Sequence, residues 1–469
     1  MTSIKFGTDG WRAVMADEFT FANVERVAQA TARHWLAQPP PGSRPLVVIG
    51  YDRRFLSDRF ARRAAEVFSG NGLEVLLTAQ PTPTPAVSWA VRQRGAVGGV
   101  MITASHNPPE FNGYKLKAHY GGPAEADLCR AIEAELDQDP IRKRPLNRNP
   151  GVRVVDLRPA HYHAIKKRVD FRLIARSGLR LAHDAMYGVG AGCFETLLEG
   201  TSCRVTTLRT EHNPSFGGIN PEPVARNYAA TIAFLRRHPH DVCLVTDGDA
   251  DRLGGLDGRG GCLSAHTLIC LLLYHLVAHR GGRGRVVKAL TTTSMVDKMC
   301  AAYGLELVET GVGFKHIGAE MRRGGVLLGA EESGSIGFPG HIPERDGLLA
   351  GLMLLELLAT ERVSVRRLVA RLDKTFGPHY SDRIDCALPL ERRDAVMEWC
   401  RRHPPARLLR SPVVDVRTHD GVKLVTRDGS WLMLRGSGTE PVLRIYAEAA
   451  TEAGLRGLLQ FGRRLVLRS

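Results

Sequence analysis

A chain of 469 residues exceeds the size at which a single hydrophobic core stops growing, so the sequence predicts several domains. Its hydrophobic content of 43% and charged content of 24% are typical of a globular protein. The net charge of +15 would suit a nucleic-acid-binding protein. However, the arginines stand in scattered pairs, and aromatic residues, which could stack on bases, make up only 6%. We therefore expect a solvated basic surface and no nucleic-acid partner.

Short apolar runs alternate with longer amphipathic stretches over most of the chain. The predicted elements are, in order, strand 45–50, helix 57–68, strand 73–77, helix 87–94 and strands 98–102, 179–182, 242–246, 286–290 and 326–328. Ser57 is the expected N-cap of the first helix. This alternation predicts α/β layers with mainly parallel sheets.

The last hundred residues differ from the rest, because short strands follow one another closely with turn signals between them. These strands are expected at 382–388, 413–416, 421–426, 430–434 and 442–448. The sequence therefore predicts three similar α/β units and a smaller α+β unit. The expected domains are residues 1–145, 152–252, 253–370 and 375–469.

Ser105 stands just after predicted strand 98–102, in a turn that contains Asn107 and Pro108. Ligands of open α/β sheets bind at the carboxyl ends of the strands, so its hydroxyl is a candidate site, although serine is also a common turn former. No GxSxG elbow surrounds it, which argues against an α/β-hydrolase. Beyond a second turn, Lys115 is either a general acid or base or a solvated charge at a strand edge.

Three carboxylates at a spacing of two, Asp247, Asp249 and Asp251, follow predicted strand 242–246. Hard oxygen ligands in this number suit Mg²⁺. A calcium EF-hand loop is excluded, because Arg252 and Gly258 occupy the places of its glycine and glutamate. Two alternatives are a solvated acidic turn and the nucleophile motif of a haloacid-dehalogenase-like phosphotransferase, in which Asp247 would carry the phosphate.

Two further segments carry polar groups between strands. Segment 435–441 offers an arginine fork, hydroxyls and glycines, a combination that suits the binding of a phosphate. It does not match a Walker loop. The alternative is a glycine-rich hairpin without a ligand. Segment 329–334 contains Glu331 and Ser333, which could hold sugar hydroxyls or simply begin a helix or turn.

Taken in this order, these segments together with the run 6–12 resemble the α-D-phosphohexomutase superfamily, whose members include phosphoglucomutase and phosphomannomutase. The resemblance extends from Phe6 to Pro441 and so covers nearly the whole chain. It implies an α/β fold: three similar α/β domains with mixed sheets plus a smaller α+β C-terminal domain around a central cleft.

The resemblance also implies roles for single residues. Ser105 would be a phosphoserine, and Mg²⁺ would be bound by its phosphate and by the three aspartates of segment 247–251. Arg12 and Lys115 would flank the phosphoryl group, with His106 beside them in the catalytic group. The residues expected to bind substrate are Arg252, Lys315, His316, Glu331, Ser333, Arg435, Ser437, Gly438, Thr439 and Arg444.

The implied activity is a reversible conversion of glucose 1-phosphate and glucose 6-phosphate, with a hexose 1,6-bisphosphate as intermediate and activator. Glu332, between Glu331 and Ser333, and the run 340–347 resemble hexose mutases of the bacterial phosphoglucomutase type. We therefore expect glucose as the substrate, with a phosphomannomutase or a dual-specificity mutase as the alternative. The expected partner is a phosphorylated hexose, and the expected state is a monomer or homodimer.

Nine cysteines occur without a CxxC motif or a paired Cys/His spacing, which is typical of reduced thiols. No charged-then-apolar leader follows Met1, and no apolar run approaches the roughly 20 residues of a membrane span. The sequence therefore predicts a cytoplasmic protein without a membrane partner.

Overall fold

The computed structural model describes residues 4–7, 9–147, 149–436 and 441–468. The first domain contains a six-stranded mixed sheet in the order β1-β5-β4-β2-β3-β6. Its strands are β1 (Trp11–Val14), β2 (Arg44–Tyr51), β3 (Glu74–Thr78), β4 (Ala96–Ile102), β5 (Phe111–Ala118) and β6 (Val152–Val155). Its helices are α1 (Phe21–Ala37), α2 (Ser57–Gly70), α3 (Thr84–Arg94) and α4 (Ala126–Ala134).

The second domain contains a five-stranded mixed sheet in the order β11-β10-β9-β7-β8. Its strands are β7 (Arg180–Asp184), β8 (Arg204–Leu208), β9 (Val242–Thr246), β10 (Leu253–Asp257) and β11 (Cys262–Leu263). Its helices are α5 (Arg158–Lys166), α6 (Phe171–Ala175), α7 (Cys193–Leu198) and α8 (Ala229–Arg237).

The third domain contains a four-stranded mixed sheet in the order β13-β12-β14-β15. Its strands are β12 (Arg285–Ala289), β13 (Leu307–Thr310), β14 (Val326–Ala330) and β15 (Ile336–Gly337). Its helices are α9 (Ala265–Ala278), α10 (Met295–Tyr303), α11 (Phe314–Arg322), α12 (Gly347–Glu361) and α13 (Val365–Phe376).

The fourth domain is an antiparallel six-stranded sheet in the order β16-β21-β20-β19-β18-β17, packed against two helices. Its strands are β16 (Tyr380–Ala387), β17 (Arg407–Leu408), β18 (Ser411–Arg417), β19 (Val422–Thr426), β20 (Trp431–Gly436) and β21 (Val442–Ala449). Its helices are α14 (Leu390–Arg402) and α15 (Glu452–Arg468). The predicted arrangement of three α/β domains and a distinct α+β domain is confirmed.

The second and third domains share one hydrophobic core, whereas the fourth has its own. Helices α9 and α12 are rich in leucine and are buried along most of their length. Each buried leucine contributes about 1.5–3 kcal/mol relative to an exposed one, so these helices join the two domains firmly. Among the described residues, no helix combines the length and the apolar character that crossing a membrane requires.

Three sequence expectations differ from the structure. Ser57 does not cap α2: Leu56 is the N-cap, and the Ser57 hydroxyl instead donates to Asp52 at 2.7 Å. Strand β6 pairs with β3, so the first sheet extends beyond the expected boundary at residue 145. Strand β10 pairs with β9 because the acidic segment forms the turn of an antiparallel hairpin, so the second sheet continues beyond residue 252.

Candidate active site

Ser105 follows the carboxyl end of β4 and is fully buried. Its φ of 53° lies in the left-handed region, a conformation in which a residue with a side chain is strained. The Ser105 N–H donates to Thr103 Oγ1 at 2.8 Å, and Ser105 Oγ lies 2.8 Å from Asp247 Oδ2. The strained turn therefore presents the serine hydroxyl to the acidic loop of the second domain.

Arg54 holds the Ser105 turn in place. Its guanidinium group, which is buried, donates to four backbone carbonyl groups of the turn, those of Ser105, Asn107, Pro108 and Phe111, at 2.6–3.0 Å. Asp52 lies 3.3 Å from the Arg54 side chain and also accepts from Thr103 Oγ1 at 2.5 Å. We therefore identify Arg54 as a positioning residue, which the sequence analysis did not single out.

We expect Arg54→Lys to lower kcat by about 10²-fold with little change in KM. A single ammonium group cannot replace the four hydrogen bonds, so the Ser105 turn would shift, and a shift of about 1 Å in a reacting group lowers the rate by about this factor. Steady-state kinetics and thermal unfolding measure the two effects. The matched control is Arg53→Lys, since Arg53 donates to the carbonyl groups of Gly188 and Thr210 instead. Equal losses in both variants would contradict the positioning role.

The three carboxylates of segment 247–251 are fully buried, and one oxygen atom from each lies within 4.8 Å of the others. The segment joins β9 to β10 and packs directly on the Ser105 turn. A Cβ atom at Gly248 would lie 2.5 Å from the carbonyl oxygen of Ser105, so only glycine permits this approach. The alternative of a solvated acidic turn is therefore excluded.

Carboxylate oxygens in this cluster remain available for a cation. Asp249 Oδ1 and Asp251 Oδ1 are buried and accept no hydrogen bond from any residue that the structure describes. Asp247 Oδ1 accepts from the backbone N–H groups of Asp251 and Arg252, both at 3.1 Å. Buried, bare carboxylate oxygens are costly without a partner, and they are the hard ligands that Mg²⁺ prefers.

Lys115 lies inside this cluster and is fully buried, so it is not a solvated charge at a strand edge. Its Nζ donates to Asp249 Oδ2 at 2.8 Å and to Asp251 Oδ2 at 3.0 Å, and it lies 3.0 Å from Asp9 Oδ2. Burial alone would lower the pKa of Lys115, but these carboxylates outweigh it and raise the pKa above its ordinary value. Lys115 is therefore an ammonium ion here.

His106 lies beside the Ser105 hydroxyl, and the charges of Arg12 and Arg252 act on His106. His106 Nδ1 lies 3.5 Å from Ser105 Oγ, and the Arg12 guanidinium donates to Asn107 Oδ1 at 2.6 Å. Arg252 Nε lies 4.0 Å from Asp251 Oδ1. Burial, followed by the charges of Arg252 and Arg12, holds the pKa of His106 well below its ordinary value, so its imidazole is neutral.

The predicted sugar-binding residues follow β14. Glu331 Oε1 accepts from the backbone N–H of Gly313 at 2.7 Å, and the Ser333 hydroxyl lies 2.9 Å from that of Ser335. Burial, followed by the charge of Glu332, raises the pKa of Glu331 to about 7. Near neutral pH, Glu331 is therefore able both to donate and to accept a hydrogen bond.

Asp420 links the third and fourth domains beside Arg435. It accepts from Arg435 Nε at 3.0 Å and from the Val312 N–H at 2.6 Å, and its charge acts on His316. Arg444 is the cross-strand neighbour of Arg435 in the β20–β21 pair.

Four predicted substrate-binding residues remain, of which the structure describes only Lys315. Lys315 lines a cavity of about 170 Å³ together with Asp9, between the first and third domains. The predicted Ser437, Gly438 and Thr439 lie outside the described residues.

Three further residues of the site were not predicted. Arg345 pairs with Asp251 at 2.7 Å and with Asp9, while Thr84 Oγ1 donates to Asp249 Oδ2 at 2.5 Å. Asp9 and Arg345 stand in the runs 6–12 and 340–347 on which the family resemblance rested, so the signal was present. Thr84 had no comparable signal, because it opens α3 in a proline-rich stretch.

Comparison with known proteins matches all four domains to one family. The models of phosphoglucomutase/phosphomannomutase domains I, II and III and of the C-terminal domain match residues 3–142, 159–260, 264–376 and 391–463. A phosphoglucomutase/phosphomannomutase of Thermococcus kodakarensis is 28% identical over 98% of both chains. A phosphoglucosamine/phosphogalactosamine mutase of Sulfurisphaera tokodaii is 28% identical over 95% of both. A crystal structure from Thermus thermophilus, provisionally described as a phosphomannomutase, is 37% identical over 99% of both chains, with a TM-score of 0.88.

Proposed function

Since this chain belongs to the phosphoglucomutase/phosphomannomutase family and is an intramolecular phosphotransferase, we propose that it interconverts glucose 1-phosphate and glucose 6-phosphate. Ser105 is the proposed phosphate carrier, and a hexose 1,6-bisphosphate is the proposed intermediate. The observation that supports this most is the 2.8 Å contact between Ser105 Oγ and Asp247, inside a buried cluster of three carboxylates.

The proposed reaction consists of two transfers of a phosphoryl group. In the first, the P–O bond to Ser105 Oγ breaks, a P–O bond forms to the free hydroxyl of the hexose phosphate, and the proton of that hydroxyl ends on Ser105 Oγ. In the second, the other phosphate returns to Ser105, and the sugar oxygen that it leaves regains a proton. Such transfers are catalysed mainly by positioning and by positive charge, which Arg12, Arg252 and Lys115 supply around Ser105.

Asp247, Asp249 and Asp251, with the phosphate of Ser105, are the proposed ligands of Mg²⁺. The bound ion would neutralise negative charge on the phosphoryl group. The protein prepares this site by occupying the other oxygens: Lys115 binds Oδ2 of both Asp249 and Asp251, while Thr84 and Arg345 each bind one of them. This leaves the two Oδ1 atoms bare.

The two groups proposed for proton transfer begin in different states. Lys115 begins as an ammonium ion and is suited to donate a proton to the sugar oxygen. His106 begins neutral and lies 3.5 Å from Ser105 Oγ, and it is proposed to accept the serine proton when the phosphate returns.

Arg435 and Arg444 are proposed to bind the phosphate that is not being transferred, together with His316, Lys315 and the loop 437–439. In the present structure the Arg435 guanidinium binds the Asp420 carboxylate, and a phosphate is an anion of the kind that would replace it. Glu331 and Ser333 are proposed to hold the sugar hydroxyls. The bisphosphate would then turn around in the cleft, so that either phosphate can occupy the Arg435 site.

We expect kcat/KM for glucose 1-phosphate to exceed that for mannose 1-phosphate by about tenfold or more, because the sugars differ in the configuration of one hydroxyl and a difference in fit of about 1–3 kcal/mol gives about 10–200-fold discrimination. Both substrates are to be assayed with Mg²⁺ and the matching 1,6-bisphosphate as primer. Equal values would indicate a dual-specificity mutase, and a higher value for mannose 1-phosphate would replace the proposal with a phosphomannomutase.

A further inference from the structure

A groove of about 1210 Å³ lies at the junction of the second and third domains. Its walls come from α6 and the residues after it, the loop before β9, the end of β10 and the segment between α12 and α13. Helix α12 begins next to Arg345 in the active site and ends at the groove. Because this helix has 15 residues and is about 22 Å long, the groove is a separate site.

The groove contains a cluster of unpaired positive charges. The arginines that line it are Arg172, Arg176, Arg180, Arg259, Arg362 and Arg366. Arg366 pairs with Asp257 at 2.5 Å. Within the described parts of the chain, the guanidinium groups of the other five form no hydrogen bond or ion pair.

The three carboxylates of the groove offset only half of the charge of its six arginines, and none of them pairs with the guanidinium groups of the other five. Asp170 accepts from the N–H of Leu173 at the start of α6, and Asp241 accepts from the backbone N–H of Arg180. Asp257 accepts from two backbone N–H groups in addition to Arg366. Five free guanidinium groups therefore face one concave surface, which concentrates a positive potential there.

Arg362 gives independent support. It ends α12 with a φ of 52°, in the left-handed region where glycine is the favoured residue at the end of a helix. Its backbone N–H bonds to Leu358 in the ordinary way, and its side chain lines the groove. The chain thus carries a charged residue at a strained position where glycine would fit without strain.

We propose that this arginine groove binds a small molecule that carries two or more phosphate groups. Guanidinium forks bind phosphate oxygens in pairs, and several of them close together match adjacent phosphates better than a single one. Leu173, Leu179 and Val363 also line the groove and provide apolar surface for a carbon framework. Ligand sites of this kind occur preferentially at domain junctions.

A single strand of nucleic acid fits the groove less well. Such strands are bound by stacking successive bases on aromatic side chains, and no Phe, Tyr or Trp is among the described residues that line the groove. The observations therefore favour a compact polyanion.

The test is calorimetric titration of the full chain, without Mg²⁺ and with excess glucose 1-phosphate, using inorganic tripolyphosphate and ATP as probes. We expect both to bind, inorganic phosphate to bind at least tenfold more weakly, and Arg176→Glu/Arg259→Glu to weaken tripolyphosphate binding at least tenfold. Arg362→Gly should also weaken binding without lowering the thermal unfolding temperature, which separates loss of the site from loss of the fold.

The matched control is Arg59→Glu/Arg410→Glu, which makes the same change of charge at exposed arginines outside the groove and should bind as the wild type does. Equal weakening in both double variants would overturn the proposal, because it would show a general charge effect. Loss of binding in Arg435→Ala would also overturn it, because the probe would then occupy the active-site cleft. The proposal would also be overturned if a thymidine oligonucleotide bound more tightly than tripolyphosphate and the groove variants abolished that binding. None of these outcomes depends on whether the chain acts on glucose.

Discussion

Replacing Ser105 by alanine is expected to lower kcat for glucose 1-phosphate by about 10⁴-fold or more, because loss of a covalent carrier removes the pathway itself. Steady-state turnover with Mg²⁺ and the bisphosphate primer measures the loss. Ser88→Ala is the matched control, since the Ser88 hydroxyl is also buried and contacts no hydrogen-bonding partner among the described residues. Turnover of Ser105→Ala near the wild-type value would refute the proposed mechanism.

The same variant separates Ser105 from Asp247 as the carrier. Asp247 accepts hydrogen bonds at both oxygens, from two backbone N–H groups and from the Ser105 hydroxyl, and these bonds lower the nucleophilicity of its carboxylate. We expect labelled phosphate from the bisphosphate to remain on the wild-type protein after hydroxylamine treatment and to be absent from Ser105→Ala. A hydroxylamine-labile label at Asp247 would instead establish the phosphotransferase of the haloacid-dehalogenase type.

The sequence predicted the parts of the site that lie on one short segment each. Ser105 and the segment 247–251 both follow a buried strand, and a cluster of polar residues at such a place is readable from sequence alone. Asp52 and Arg54 follow β2 in the same way, but their role depends on carbonyl groups about fifty residues further along the chain. A pattern in one segment cannot show such long-range partners.

The same limit explains the failed N-cap. Ser57 has the residue type and the position that a cap requires, yet its hydroxyl donates to Asp52, which also binds Arg54 and Thr103. A buried carboxylate needs several hydrogen-bond donors. The free energy gained when Ser57 donates to Asp52 outweighs the roughly 1 kcal/mol that a helix cap contributes. Local preference was overridden because this helix begins beside the site.

Asp420 shows a third kind of residue that sequence reasoning misses. It lies in the turn before β19, with no motif around it, and it joins Arg435 to the backbone of Val312. Its importance arises only when the fourth domain meets the third, an arrangement that no single segment encodes. The polar residues of each single segment were therefore predictable from sequence, whereas the contacts that assemble the four domains around them were not.

Magnesium removal is expected to lower kcat by about 10³-fold, the effect of losing several kcal/mol of charge stabilisation. Asp251→Asn should reproduce this loss, because the amide offers a weaker ligand where Asp251 Oδ1 is now bare. The exposed carboxylate of Asp415 provides the control, Asp415→Asn, which should keep full activity.

A stability measurement tests the metal site without reference to activity. An ion that binds only the folded protein stabilises it by about 2.7 kcal/mol at a concentration 100 times its Kd, so Mg²⁺ should raise the unfolding temperature of the wild type. Asp251→Asn should lose most of that increase, and Asp415→Asn should retain it. An equal increase in all three proteins would place the ion elsewhere, because the site built by the bare Oδ1 atoms of Asp249 and Asp251 is lost only in Asp251→Asn.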